Sequence, residues 1–203
     1  MNILAIDDNP KLCAMSLCDL HVSRFCLEGT QILASLFRLH LSIRSNYKPM
    51  NSWEKRGPMM WLASSEANQL WYLRHMQVLF SEYTWRFCRV HASQPVFEAM
   101  FEDWMRVKHH MLFDPLTEGT GMWDRWVSGQ MTPFDLELQK EVPKDWAERW
   151  MEIAKTDPVR AYRNYYAWKA VKWEAKGRPM RYRREPPSWL VELLGPGALV
   201  EVQ

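Results

Sequence analysis

The chain lacks a strong excess of charge of either sign: 26 basic residues stand against 24 acidic ones, a net charge of +2. No overall field draws it to nucleic acid, so any polyanion must be met by a local basic patch. It also lacks an apolar run of the roughly 18 residues that cross a bilayer, and a basic start followed by a signal-like stretch. A cytoplasmic protein without a membrane span is expected. Cysteine is scarce and shows no C-x-x-C spacing. Cys13, Cys18, Cys26 and Cys88 read as reduced thiols, and neither a metal site nor a cofactor is expected. Strand signals are thin as well. Residues 2 to 6 form a short apolar run, a strand or an extended lead-in, for which nothing else offers an obvious strand partner.

What the chain does carry is helical periodicity and aromatic mass. Its 203 residues suit one domain, and 12 Trp, 7 Tyr and 8 Phe can either fill a core or stack on bases. The expected architecture is all-α: one mainly helical domain over residues 1–194 and a tail over 195–203. Asn9-Pro10 and Asp157-Pro158 share a cap-then-proline grammar that opens helices. Helices are expected from Pro10 to about Cys18, Asp19 to about Leu41 with Asp19 as a candidate cap, Met60 to His91, Val96 to about Leu112, Asp145 to Lys155, and onward from Pro158. Two stretches read as loops: Ile43 to Pro58, with Arg44, Lys48, Lys55 and Arg56 as a candidate basic patch, and residues 114–134, a connection or a lid. His109 and His110 are adjacent and lie on different faces of a helix, a poor metal pair.

The chemistry is expected on the helix that begins at Asp19. His21, Arg24, Glu28, Gln31, Ser35 and Arg38 recur at three- and four-residue steps and fall on one face. Apolar residues bound that strip, Phe25, Ile32 and Leu36 on one flank and Leu20 and Leu27 on the other, so the helix reads as mostly buried. Polar groups in such a setting are either paired or facing a wet cleft. The plainer alternative is an internal salt-bridge row, with Arg24 joined to Glu28. Gly29 weakens this helix by about 1 kcal/mol relative to alanine, or permits a close approach.

A second polar row, Ser65, Asn68, Tyr72, His75, Leu79, Glu82 and Arg86, is the natural partner of the first. It runs beside an apolar row through Leu73, Met76, Phe80, Tyr83, Phe87 and Val90. A cleft is expected between the two polar rows, although Glu82 and Arg86 at i,i+4 can equally pair with each other. The third contributor is the run Ala161-Tyr162-Arg163-Asn164-Tyr165-Tyr166, followed by Trp168, Lys169, Lys172 and Trp173. Basic and aromatic groups interleaved on one helix suit a flipped or single-stranded base, and equally a core with snorkelling lysine stems. Beyond Gly177, residues Arg178 to Arg184 read as an extended phosphate-contacting arm, and Pro186 to Leu190 as an anchor for the end of the fold.

These segments carry a resemblance. Asp19-x-His21 followed seven residues later by Glu28 looks like the Asp-x-His-x6-Glu signature of the phage pyrimidine-dimer DNA glycosylases of the endonuclease V type. More broadly, the chain resembles a group of small phage proteins given that label by similarity. They share an opening like Asn2-Ile3-Leu4 with Asp7 and Pro10, a Cys-Asp-x-His helix, a Glu-Tyr-Thr-x-Arg segment (Glu82 to Arg86) and an Ala-Tyr-Arg-Asn-Tyr-Tyr run. The glycosylase resemblance implies a helical fold, extrusion of the target base, a carboxylate at the sugar that falls on Glu28, a histidine that falls on His21, and an imine formed by an N-terminal amine. Here Leu27 stands where that family has an arginine and Gln31 where a second is expected. Asn2 leaves Met1 in place, where the family exposes a threonine.

The leading expectation is therefore an enzyme acting on DNA bases. Glu28, His21 and Arg24 are its catalytic candidates. Asp19, Gln31, Asn68, His75, Glu82, Arg86, Tyr162, Arg163, Asn164, Lys169 and Lys172 are its substrate-binding candidates. A transferase that modifies a base, for example an activated thymine, would use the same cleft, with Glu28 or His21 as general base and Arg24 or Arg86 stabilising a leaving anion. A non-catalytic helical interaction protein is the third reading. A glycosylase-lyase would be trapped by borohydride through an amine at Met1, Lys169 or Lys172, but Asn2, Leu27 and the near-neutral charge predict no such adduct, and weak, steeply salt-dependent DNA binding through Arg178 to Arg184.

Overall fold

Local signals start the fold where the sequence places them. Asn9 caps α1 (Pro10–Met15), its Oδ1 accepting the amide N–H groups of Lys11 at 2.9 Å and Leu12 at 3.3 Å. Asp157 does the same for α7 (Pro158–Ala175), accepting the Arg160 amide at 2.9 Å. Between these lie α2 (Asp19–His40), α3 (Gly57–Ser64), α4 (Glu66–Phe87), α5 (Gln94–Lys108) and α6 (Lys144–Ala154), and α8 (Ser188–Leu194) follows α7. A computed structural model describes residues 3–47, 57–108, 138, 141–195 and 200–201. Over these residues the chain is all-α apart from one two-residue parallel pairing of β1 (Arg181–Tyr182) with β2 (Val200–Glu201). The stretch expected to be a tail thus contributes β2. No described helix is long and apolar enough to cross a membrane.

Helical periodicity over residues 60–91 hides a break. Ser65 takes an extended backbone and its Oγ accepts the Asn68 amide at 3.1 Å, so the chain stops α3 and recaps as α4. The run then ends at Cys88, in the left-handed region with φ 52°. The polar row from Asn68 to Arg86 is enclosed, the apolar row is buried from Leu73 to Tyr83 with Phe87 half-buried and Val90 exposed beyond the helix end, and α1, α2 and α3 pack around α4. At the start of α2 the expected Asp19 cap is not formed. Cys18 occupies the cap position, with no side-chain bond.

Gly29 sets the spacing between α2 and α4. A Cβ there would lie 2.8 Å from Tyr72 Oη and 2.7 Å from Met76 Cε, so the glycine permits a close approach that alanine would obstruct. The two helices run antiparallel, because the start of α2 meets Arg86 at the end of α4. Residues 3–6 form the extended lead-in rather than a strand, and all four are buried. Within it the Ala5 and Ile6 amides donate to Ile3 O and Leu4 O, and from outside it Leu4 O also accepts Cys13 Sγ–H and Ile6 O accepts Arg163 Nε–H at 2.8 Å. Arg163 also pairs with Asp7 at 3.0 Å, which ties α7 to the start of the chain. Met1, Asn2, Lys48, Lys55, Arg56, His109, His110 and the lid or connection over 114–134 lie outside the described residues.

Candidate active site

The cleft expected between the polar rows of α2 and α4 is not present among the described residues. Part of the reason is length. Asn68 and Arg86 stand 18 residues apart on α4, about 27 Å at helical rise, which is too far to share one small site. Packing supplies the rest. Asn68 donates to Trp61 O at 2.7 Å and Ser64 Oγ at 3.0 Å, stitching α4 to α3. His75 stacks on Trp71 with its Nδ1 3.2 Å from Pro10 O, and burial holds its pKa down to about 4. Glu82 and Arg86 form the core of an ion network. The Arg86 guanidinium, fully enclosed, donates to Glu82 Oε2, Asp19 Oδ1, Leu17 O and Met15 O at 2.7–3.1 Å. Arg184 donates to both Glu82 oxygens, and Arg183 engages Asp19 and Arg86 O. The residues expected to bind substrate from α4 instead close the carbonyl end of α1 and fasten the 183–184 segment.

An open cleft of about 720 Å³ lies on the other side of α2, between its first two turns and the end of α7. It exists because the chain reverses after α7. Gly177, at φ 68°, donates to Glu174 O, and the Arg178 amide donates to Trp173 O, a left-handed helix end that returns residues 178–181 towards α2. Asp19, Leu20, Ser23 and Arg24 form one wall and Lys172, Trp173 and Lys176 another, with Arg178 to Arg181 and Phe87 completing it. Five cations, Arg24, Lys172, Lys176, Arg178 and Arg181, face two carboxylates, Asp19 and Glu141. Glu141 pairs with Lys172, and Asp19 is taken up by Arg86 and Arg183. Lys176, Arg178 and Arg181 are exposed and make no ion pair among the described residues. The result is a cleft lined by apolar and aromatic groups with a local excess of positive charge, in a molecule whose net charge is only +2.

At one edge of this cleft the α2 strip meets α7. Arg24 and Glu28 pair at 3.5 Å, with Glu28 23% exposed, so the salt-bridge alternative is realised for these two without enclosing the carboxylate. Leu20 and Leu27 are 50% and 41% exposed, a correction to the expectation that apolar packing bounds the strip on both flanks. His21 is buried, its ring packed against Phe25, Tyr166 and Trp173. Its Nδ1 lies 3.0 Å from Tyr166 Oη and 3.3 Å from Cys18 Sγ, and Tyr166 Oη accepts the Cys18 amide at 2.8 Å. Burial first, then the charges of Lys169 and Arg24, hold the imidazole well below its ordinary range. His21 is therefore a neutral spacer between α2 and α7 at neutral pH and is poorly placed to take a proton. Lys169 is enclosed beside it, its Nζ over the rings of Tyr165 and Trp173, and burial lowers its pKa to about 8.

Of the remaining candidates, Tyr162 is core and Arg163 is committed to Ile6 O and Asp7. Asn164 and Gln31 are half-buried, outside the cleft lining. The structure thus gathers Asp19, Arg24 and Lys172 into the cleft, keeps Glu28, His21 and Lys169 outside its lining but against lining residues, Glu28 on Arg24 and the other two on Trp173, and leaves Asn68, His75, Glu82, Arg86, Tyr162 and Arg163 to the scaffold. Phe87, Ser23 and Lys176 were not foreseen. Lys176 had a visible signal, since Lys176-Gly177-Arg178 places two cations around the one glycine that ends α7. Comparison of the chain with protein-family models, with curated proteins and with solved structures finds no match.

Proposed function

We propose that the protein acts on DNA at an extruded or single-stranded base, using the cleft between α2 and the end of α7. The observation that carries this reading is the concentration of unpaired cations around an apolar, aromatic-walled cleft on a nearly neutral chain. Trp173 and Phe87 offer faces for a base, while Lys176, Arg178 and Arg181 offer phosphate contacts. Glu28 is the reacting carboxylate in this scheme, lying one helical turn beyond the cleft-lining Arg24 and partly open to solvent. A carboxylate beside the sugar stabilises positive charge developing at C1′, or moves a proton. Asp19 and His21 act as positioning residues: Asp19 holds the returning 183–184 segment, and His21 sets the separation of α2 and α7.

The resemblance to pyrimidine-dimer DNA glycosylases, with Glu28 in the place of their essential carboxylate, favours base excision. Transfer of a group onto an activated thymine is the second reading, favoured by the cation excess at the cleft, which suits a leaving polyphosphate. Binding of a single-stranded oligonucleotide, followed by fluorescence anisotropy between about 50 and about 200 mM salt, tests the shared part of both. Affinity that falls steeply with salt, and that is lost when Lys176, Arg178 and Arg181 are changed together to glutamine, is expected. Salt-independent binding, or none, would leave the interaction-protein reading in its place.

A further inference from the structure

Lys169 is unlike the exposed lysines of the described chain. It is 7% exposed and occupies the middle of α7, where a long polar side chain is costly. A salt bridge is the ordinary remedy, yet no carboxylate or carbonyl among the described residues lies within bonding distance of Nζ. What surrounds it is aromatic: the ring centroids of Tyr165 and Trp173 lie 5.5 Å and 5.4 Å from Nζ, and the same Trp173 lines the cleft. The charged and titratable groups that face it are few. Cys18, the residue before α2, and Glu28 on α2 favour the ammonium, Arg24 on α2 and Lys172 on α7 oppose it, and His21 beside it is neutral. Desolvation outweighs them all and brings the amine to about 8. A buried amine poised to be neutral, with a carboxylate nearby and a phosphate-attracting rim outside, has the features of a covalent nucleophile.

We propose that Lys169 is a nucleophilic amine that condenses with the aldehyde of a phosphate-bearing ligand seated in the cleft. Neutral Nζ adds to the carbonyl carbon while the π pair moves to oxygen. Proton transfer gives a carbinolamine, and loss of water leaves an imine. Nothing is oxidised or reduced, and Glu28, the carboxylate whose charge acts on Lys169 from α2, is the group assigned to give and recover the proton. The inference rests on the cleft as a phosphate site and not on DNA as its occupant. Two sources supply this chemistry: the ring-opened sugar at an abasic position, which base excision itself generates, and a small phosphorylated aldehyde. The expectation of no trapped adduct rested on Asn2, Leu27 and the near-neutral charge; the burial of Lys169 among aromatic rings argues against it.

The test incubates the full chain at about pH 7.5 with sodium borohydride and either a single-stranded oligonucleotide carrying one abasic position or pyridoxal 5′-phosphate. Peptide mapping then compares Lys169 with the exposed Lys11 and Lys144 as internal references. At that pH an amine titrating near 8 is about one quarter neutral, against about one part in a thousand for an ordinary lysine. Labelling at Lys169 at least about tenfold above the references, rising with pH to half its maximum near 8, is expected. Adducts from the oligonucleotide, alone or with the small aldehyde, support the assignment. Adducts from pyridoxal phosphate alone also support it and remove DNA as the ligand. Absence of preferential labelling at Lys169 in both arms overturns it, a decision that the wild-type chain gives even if Lys169→Met does not fold.

Discussion

Arg86→Met separates a scaffold role from a substrate role at the residue where the sequence and the structure differ most. The wild-type guanidinium is fully enclosed and satisfies Glu82, Asp19 and the carbonyls of Met15, at the end of α1, and Leu17, in the link to α2. Removing one member of a buried ion pair costs about 3–5 kcal/mol, and the orphaned carbonyls of Leu17 and Met15 add about 1–3 kcal/mol each where water cannot reach them. Arg184 remains on Glu82 and Arg183 on Asp19, which offsets part of that loss. A net destabilisation of about 4 kcal/mol follows, and for a chain of this size it lowers Tm by about 10 °C. Arg86→Lys keeps the charge but offers three donors where the fork offers five, so it recovers about half. Urea unfolding of the three proteins measures this. A loss below about 1 kcal/mol for Arg86→Met, or unchanged stability with abolished DNA binding, would refute the reasoning and return Arg86 to the ligand.

Other predictions follow from the same contacts. Gly29→Ala gains about 1 kcal/mol of helix propensity but drives Cβ into Tyr72 and Met76, which overpacking sets at about 1–3 kcal/mol, so thermal unfolding should show a net loss. His75 titrates near 4 in the fold against about 6.5 unfolded, so the unfolded chain takes the proton first. Stability is complete above about pH 6.5 and falls by up to about 3 kcal/mol towards pH 4. His21 adds loss in the same direction, and unfolding of His75→Gln across this range should show a shallower slope. Changing Arg178 and Arg181 to alanine should reduce the salt slope of single-strand binding by about 1.4, two phosphate contacts' worth, without altering Tm by more than about 2 °C.

Much of the fold was legible because its signals are local. Asn9-Pro10 and Asp157-Pro158 open helices through one hydrogen-bonding pattern, and the boundaries of α2 and α6 lie within a residue of those read from periodicity. The break at Ser65 was not legible, since a serine inside an apolar pattern signals a cap only when the preceding helix turns away. The site was half legible. The strip on α2 and the mixed run on α7 were visible as patterns, but periodicity cannot distinguish a polar row facing a cleft from one facing other polar side chains. Arg86 and Arg24 look alike in sequence. One is enclosed by the carbonyls of Met15 and Leu17 at the turn between α1 and α2, and the other stands at the edge of open space bounded by the turn at Gly177. That turn depends on tertiary return of the chain, and no local pattern announces which helix it will face.

The central claim is that the α2–α7 cleft acts on DNA through Glu28, and product analysis tests it most directly. Wild type and Glu28→Gln are incubated with ultraviolet-irradiated DNA and with DNA carrying activated thymine, and released bases and nucleosides are identified by mass spectrometry. Glu28 is partly exposed and pairs with the exposed Arg24, so the amide should leave Tm within about 2 °C of wild type. The account predicts a released or altered base with wild type and at least about a hundredfold less with Glu28→Gln. Unchanged DNA with wild type, or equal product from both proteins, would contradict it.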